Sequence, residues 1–307
     1  MANINKLKVL KIFLMAKINI QNNINLLNYT TIKVGGQTKY FSEPANITEL
    51  QDILNWASSR NINFQIFGAG SNLLISGNTW KGLFICTKKL KAIKLDPKTG
   101  ILEAESGVML PAIANLLVQN SCKGGEWSIG IPGTVGGAIF MNAGYGDFSI
   151  SKHLISVKVI DTQTLDVFDI SRKDLTFKYR FSPFQQNKLI ILSAKLFFEP
   201  RGDKHLITKT TKANLKKKLD SQPYHLPSFG SVFKNPDNYY AGKLIEEAGL
   251  KGFKLGGAQV STMHANFIVN NLKASSEDIY QLISLIQEKV QQKKGIFLHP
   301  EVRMIGF

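Results

Sequence analysis

The sequence predicts an α+β fold built in more than one domain, and three observations lead there. Through the first 120 residues, short apolar runs of strand length are interleaved with segments of helical periodicity. A hairpin pattern and a long apolar strand follow. Beyond Arg201–His205 the composition changes, and two helical patterns flank a glycine-rich middle. A chain of 307 residues is long enough for two or three domains with a large buried core.

At the N-terminus, the apolar stretch in "MANINKLKVLKIFLMAKINI" is short and interrupted by Lys11. It is too short to span a bilayer. No clear small-residue cleavage site follows, which argues against a signal peptide. Met15 opens "MAKINI", so residues 1–14 are expected to be an extension from an upstream start, poorly ordered. Asn46–Arg60 predicts an amphipathic helix, with Ile47, Leu50, Ile53, Leu54 and Ala57 on one face and Thr48 and Asp52 as the polar residues at its start. Ile62–Gly68 and Gly82–Thr87 predict strands, Ile101–Leu110 alternates, and Pro111–Asn120 has helical spacing. Ser156–Ser171 predicts a hairpin turning near Thr162–Thr164, and Lys188–Pro200 a long apolar strand. "KTTKANLKKKLD" (Lys209–Asp220) predicts a solvated basic helix. Ser275–Gly295 predicts another helix, with Ser/Asp at its start, lysines in its last turn and Gly295 as its stop.

Lys plus Arg number 38 against 22 Asp plus Glu, a net charge of +16. Such an excess favours anionic partners, although a generally lysine-rich proteome would produce it too. The lysines are scattered, and neither zinc-finger spacing nor an aromatic-rich RNA-binding motif is present, so nucleic acid is not expected as a partner. Cys86 and Cys122 lie far from each other and from any Cys/His cluster, so neither a metal site nor a disulfide framework is expected. A reducing cytoplasm is the simplest setting.

"FGAGSNLLIS" (Phe67–Ser76) carries a Gly-x-Gly after an apolar run. A Rossmann fingerprint would need a third glycine, a long following helix and an acid about 20 positions on. None of the three is present, so that option fails. "SIGIPGTVGGAIFMNAGYGD" (Ser128–Asp147) is a second, denser glycine loop. Glycines at this density permit positive φ and let backbone N–H groups approach an anion. Gly136, Gly137 and Ala138 enter an apolar run, which suits a helix whose N-terminus faces a pyrophosphate. Tight packing in a buried turn would explain one Gly-Gly. Two such loops, each with Ser or Thr and each followed by an asparagine (Asn72, Asn142), favour a phosphate cradle.

Three further stretches carry candidate chemistry. "YRFSPF" (Tyr179–Phe184) sets Arg180 among apolar and aromatic residues. Its planar fork suits a carboxylate or phosphate, and pairing with a local acid is the competing expectation. "PSFGSVFKNP" (Pro227–Pro236) puts Gly230 before Ser231, a sharp turn with Lys234 and Asn235 nearby. It has no Gly-x-Ser-x-Gly elbow, so a serine hydrolase is poorly supported. "LHPEVRMIG" (Leu298–Gly306) places Glu301 in an apolar segment, where a carboxyl either has a raised pKa or is held by a partner.

Taken in order, "NYTTIKVGG", "GAGSNLL", "GIPGTVGGAIFMNAG", "YRFS", "GSVFKNP", "AGKLIEEAGLKG", "HANFIVN" and "HPEV" resemble one family. It is the UDP-N-acetylenolpyruvoylglucosamine reductases, or UDP-N-acetylmuramate dehydrogenases, flavoenzymes of bacterial peptidoglycan synthesis. The resemblance runs from about residue 25 to the C-terminus. It implies a two-lobed FAD-binding unit of the vanillyl-alcohol-oxidase type and a C-terminal α/β substrate-binding domain. The expected divisions are an N-terminal extension over 1–24, partly disordered, then lobe 1 over 25–87, lobe 2 over 88–200 and the substrate domain over 201–307.

The resemblance also implies roles. Gly68, Ala69, Gly70, Ser71, Asn72 and Leu73 would hold FAD, together with Gly130, Ile131, Pro132, Gly133, Thr134, Gly136, Gly137, Ala138 and Asn142. Arg180, Ser231 and Glu301 would be catalytic, and Tyr179, Lys234, Asn235 and His264 would bind substrate. NADPH would be the co-substrate and UDP-N-acetylglucosamine enolpyruvate the substrate, with no metal, no membrane insertion and a monomeric chain. "MNAGYGDF" is shorter than the common "NAGAYG" form, and the span from Arg180 to Ser231 has no room for the tyrosine-bearing loop of the longer subtype, so the chain resembles the short subtype. The rival expectations are another FAD-dependent oxidoreductase of the same fold and a basic nucleic-acid-binding protein.

Overall fold

The computed structural model describes residues 18–307. The expected extension over residues 1–14 lies outside these residues. Strand β1 (Gln21–Asn25) pairs antiparallel with β2 (Gln37–Ser42). Helix α1 (Ile47–Ser58) then leads to β3 (Phe64–Phe67), β4 (Leu73–Ile75) and β5 (Trp80–Cys86). The first sheet has the order β1-β2-β5-β3, with β5 parallel to both of its neighbours. Leu50, Ile53, Leu54 and Ala57 of α1 are buried against Leu83 and Ile85, the face expected from their spacing. The cap differs from expectation. Asn46, not Thr48, starts the helix, and its side chain accepts from the Glu49 N–H. The Glu49 carboxylate reaches back to the Ala45 N–H.

The second sheet is antiparallel, in the order β11-β10-β12-β7-β6. It is formed by β6 (Ile93–Asp96), β7 (Ile101–Glu105), β10 (Leu154–Asp161), β11 (Val167–Ser171) and β12 (Leu189–Phe197). The β10–β11 pair is the expected hairpin. Helix α2 (Leu110–Gln119) and the short α3 (Val135–Met141) bury Leu110, Ile113, Leu117, Val135 and Ile139 against this sheet. Between them and β10 a small hairpin joins β8 (Gly144–Tyr145) to β9 (Phe148–Ser149).

Helix α4 (Lys204–Ser221) follows, packed on α2 and the turn Glu126–Ser128. Lys209, Lys212, Lys216 and Lys217 are exposed, as a solvated helix requires. Lys218 departs from that expectation and is only 2% exposed. It lies on the inward stripe with Ile207 and Thr211. A lysine fits there because its amine meets a backbone carbonyl, Trp127 O, at 2.8 Å.

The C-terminal region is a second antiparallel sheet system, β13-β16-β15-β14. Its strands are β13 (Ser228–Ser231), β14 (Lys254–Leu255), β15 (Ala258–Val260) and β16 (Phe267–Asn270). Helices α5 (Ala241–Glu247) and α6 (Ser276–Lys294) cover it, burying Leu244, Ile245, Ile279, Leu282, Ile283 and Ile286. Ser275 and Asp278 form a capping box at the start of α6, and Gly295 ends it at φ 70°. The final strand β17 (Arg303–Ile305) leaves this domain and pairs in parallel with β4. Ile32, Val34 and Leu74 from the first lobe are buried in the same core as Leu298 and Val302. The C-terminal domain is thereby stitched to the glycine loop that precedes β4.

Replacing the α1 cap, Asn46→Ala, should cost about 1 kcal/mol, whereas Thr48→Ala should stay within roughly 0.5 kcal/mol. Urea midpoints of the two variants, at unchanged m-value, test this assignment.

Candidate active site

The two glycine loops meet at the head of a cleft of about 500 Å³ that runs between the lobes and the C-terminal domain. Contact between them requires their glycines. A Cβ on Gly68 would fall 2.1 Å from Thr134 Oγ1, and one on Gly136 would press on Ser106. Gly70 has φ +64°, and a Cβ there would fall 2.0 Å from Tyr29 O, under the "NYTT" turn. Among the described residues, the N–H groups of Ala69, Gly70, Ser71 and Asn72 have no protein acceptor. Thr134 caps α3 by accepting from the Gly137 N–H. A chain that opens its backbone donors on one side and excludes side chains on the other is suited to a pyrophosphate. Ser106, buried beside Gly136, has an unpartnered hydroxyl among the described residues.

The expected FAD residues from Gly68 to Leu73 and from Gly130 to Ala138 line this cleft, with the exception of Val135, which was not expected there. Asn142 is placed differently. It ends α3 at φ 45°, and its Nδ2 donates to Lys178 O at 2.8 Å. Asn142 therefore holds the backbone just ahead of Tyr179–Arg180.

Arg180, Ser231 and Glu301 all line the cleft. Arg180 Nε donates to Glu301 Oε1 at 2.6 Å. The partner lies far along the chain, so Arg180 does not pair with a local acid. Arg180 has φ +52°, an uncommon conformation for a branched-fork side chain on an L-residue. The short Lys178–Phe181 bridge and the Gln185 Nε2–Arg180 O bond hold it there. Both side chains of the pair are largely buried, at 21% and 14% exposure. Burial pushes the Glu301 carboxyl above the usual carboxylate range, against the opposing pull of Arg180 and Lys234.

Four backbone-level bonds fix Glu301. Its N–H donates to Val232 O at 2.7 Å, and Asn72 Nδ2 donates to its carbonyl at 3.1 Å. Arg303 N–H donates to Asn72 O, and Lys234 N–H to His299 O. Asn72, expected at the flavin, holds the segment that carries Glu301. Ser231 ends β13 directly after Gly230, whose φ of +81° is the sharp turn expected there. Asn266 exchanges two side-chain bonds with the Phe233 backbone and so steadies the strand beyond Ser231.

The expected substrate residues Tyr179, Lys234, Asn235 and His264 lie outside the cleft lining. Asn235 Oδ1 accepts from the Ala241 N–H, and its own N–H donates to Tyr179 Oη at 3.4 Å. Burial lowers the His264 pKa, and His264 Nδ1 accepts from the Asn266 N–H.

Sequence reasoning missed Lys218, Tyr224 and Arg303, all of which line the cleft. Lys218 Nζ sits 4.6 Å from the Tyr145 ring centroid, and burial lowers its pKa to about 8. Tyr224 Oη donates to Gly130 O. Arg303 stacks over Phe140. The helical spacing of Lys218 with Ile207 and Thr211 was the available signal for it.

Comparison with known proteins identifies the frame. Residues 222–305 match the model of the C-terminal domain of UDP-N-acetylenolpyruvoylglucosamine reductase, and residues 38–164 match an FAD binding domain. A UDP-N-acetylenolpyruvoylglucosamine reductase of Prochlorococcus marinus subsp. pastoris (strain CCMP1986 / NIES-2087 / MED4) is 62% identical over 293 residues, spanning 95% of this chain and 99% of the relative. The chain belongs to the UDP-N-acetylenolpyruvoylglucosamine reductase family. A relative of the same description from Prochlorococcus marinus (strain MIT 9313) is 44% identical, over 92% of each chain. The crystal structure of the reductase from Thermus caldophilus superposes with a TM-score of 0.78 at 28% identity, covering 94% of this chain and 99% of that one. The expected family, the α+β class and an FAD-binding unit ahead of the reductase C-terminal domain are therefore correct. FAD is the cofactor, and the two glycine loops line the cleft together.

Because Gly68 touches Thr134, Gly68→Ala should separate the loops. Flavin content of the purified variant, measured by visible absorbance, should fall well below that of the parent while the far-UV circular dichroism is retained.

Proposed function

We propose that this chain reduces UDP-N-acetylglucosamine enolpyruvate to UDP-N-acetylmuramate with NADPH, a step of peptidoglycan precursor synthesis in the cytoplasm. The observation that carries the reading is the convergence of Arg180, Ser231 and Glu301 on one cleft with both glycine loops, although they are distant in sequence. FAD, held by the two glycine loops, would supply hydride transfer between NADPH and C3 of the enolpyruvyl group.

The chain's own residues handle the charge and the proton. Arg180 spends Nε on Glu301 and retains further guanidinium donors for the substrate carboxylate. Negative charge arising at C2 spreads onto that carboxylate as an enolate, and the fixed guanidinium stabilises it where it grows. Glu301 acts in its protonated form, because an ionised carboxylate would repel the substrate's. Its burial favours that form, and a second carboxylate alongside favours it further. Ser231 delivers a proton to C2. A serine hydroxyl is a weak acid, so its fixed position after the Gly230 turn has to compensate. Lys218 and Arg303 meet no carboxylate among the described residues, and two such cations suit ligands that carry phosphates.

Ser231→Ala should leave flavin reduction by NADPH near normal and slow flavin reoxidation by the enolpyruvyl substrate by orders of magnitude. Equal damage to both half-reactions would remove Ser231 as proton donor. Arg180→Ala should impair the second half-reaction alone, and full turnover would exclude it from the site. Purified protein without a flavin absorption band, and without uptake of FAD on reconstitution, would sink the whole proposal.

The raised Glu301 pKa gives a pH prediction. The protonated form is present below that pKa and is lost as pH rises through it, so the second half-reaction should slow on the alkaline side. Glu301→Gln cannot ionise and should flatten that limb. Stopped-flow reoxidation rates across pH check both curves; an unchanged limb in the variant would assign it to another group.

A further inference from the structure

Three tyrosines stand exposed beside the catalytic cleft. Tyr179 is 54% exposed, Tyr239 52% and Tyr240 73%. Single exposed apolar side chains are ordinary. Asn235 links Tyr179 to the segment that carries the other two. Asn235 donates its N–H to Tyr179 Oη, and its Oδ1 caps α5 at Ala241, immediately after Tyr240. The loop between is a tight turn, closed by Tyr239 N–H to Pro236 O at 3.1 Å, with Asn238 at φ +63°. At the inner end, the Arg180 guanidinium lies 5.1 Å from the Tyr179 ring centroid. A continuous run therefore leads from Arg180 outward over Tyr179 and Asn235 to the Tyr239–Tyr240 pair.

We propose that Tyr239 and Tyr240 form the platform on which the uracil of the sugar nucleotide stacks. The inference rests on the proposed function, which anchors the enolpyruvyl carboxylate at Arg180 and Glu301. In that pose the sugar and diphosphate lead away from Arg180, and the base is the far end of the ligand. A rim that begins at the guanidinium and ends in exposed aromatic rings matches that order of groups. Tyrosine rings offer flat apolar area with few rotatable bonds, so little ordering cost opposes stacking.

The test uses the FAD-loaded full chain and UDP as probe. Stacking of one base by alanine substitution is worth about 1–3 kcal/mol, so Tyr239→Ala with Tyr240→Ala should weaken UDP binding by roughly 5- to 150-fold. The KM for the enolpyruvyl substrate should rise in step with little change in kcat. Inorganic pyrophosphate, which has no base, should bind both proteins alike. The double Phe variant keeps the rings and should keep the affinity, which separates stacking from a folding defect. UDP affinity within two-fold of the parent overturns the proposal, as does an equal loss of pyrophosphate affinity. Weakened NADPH binding with UDP unaffected would assign the platform to adenine and also overturn it. If the unmodified protein turns over the enolpyruvyl substrate, failure of the platform leaves the functional reading standing; absent turnover removes both.

Discussion

The site depends on where the C-terminal segment is threaded. Residues 299–303 run between the segment just after β13 and the glycine loop just before β4, and hydrogen bonds to their own backbone hold them on both sides. Val232 O and the Lys234 N–H grip Glu301 and His299 from the C-terminal domain. Asn72 grips Glu301 and Arg303 from the glycine loop of the first lobe. Side-chain bonds alone would allow Glu301 to wander with its rotamers. Bonds to its own N–H and carbonyl fix the Cα itself, and this is the precision the role proposed for Glu301 needs. The same threading couples the FAD-binding unit to the C-terminal domain, since the loop that holds Glu301 also carries the N–H groups of Ala69 to Asn72, which have no protein acceptor among the described residues.

Arg180 is the second fixed point, and its geometry is costly. A non-glycine residue at φ +52° carries strain of order 1 kcal/mol or more. Burying an ion pair adds desolvation of both partners. The surroundings over-determine the conformation through Asn142, Gln185 and the Glu301 contact. Placing a strained, desolvated guanidinium beside a carboxyl that burial pushes towards protonation makes little sense as a stability device. It does fit a site that must receive another carboxylate without rearranging.

Much of this was legible in the sequence. Helical periodicity located α1 and α6 to within a few residues, because each buries one apolar stripe. The Gly-x-Gly after β3 was correctly denied a Rossmann role, since a strand, β4, follows where a long helix was required. Three features were not legible, for physical reasons. The cap of α1 depends on which of several polar residues adopts the extended Ncap conformation, and Asn46 does so two residues before Thr48. Asn142 looks like a loop ligand in the sequence, yet its left-handed backbone makes it a helix stop. Lys218 was hidden among five lysines of a polar helix, and only the packing of α4 over Trp127 decides that this one points inward.

Lys218 also changes the meaning of the net charge. Most of the excess lysines are solvated, and the +16 total says little about where an anion would bind. The cations that face the cleft are few, and burial works against the charge on both Lys218 and Arg303. Neither meets a carboxylate among the described residues; one finds a carbonyl and a tyrosine face, the other a phenylalanine face. Carbonyls and π-faces stabilise a cation less than a carboxylate would, and they leave its field uncancelled in the cleft. Under the proposed function, both substrates carry diphosphates into that cleft. A cation left only partly satisfied by the protein then gains most when a phosphate arrives, while a cation already paired with an acid would first have to give that pair up.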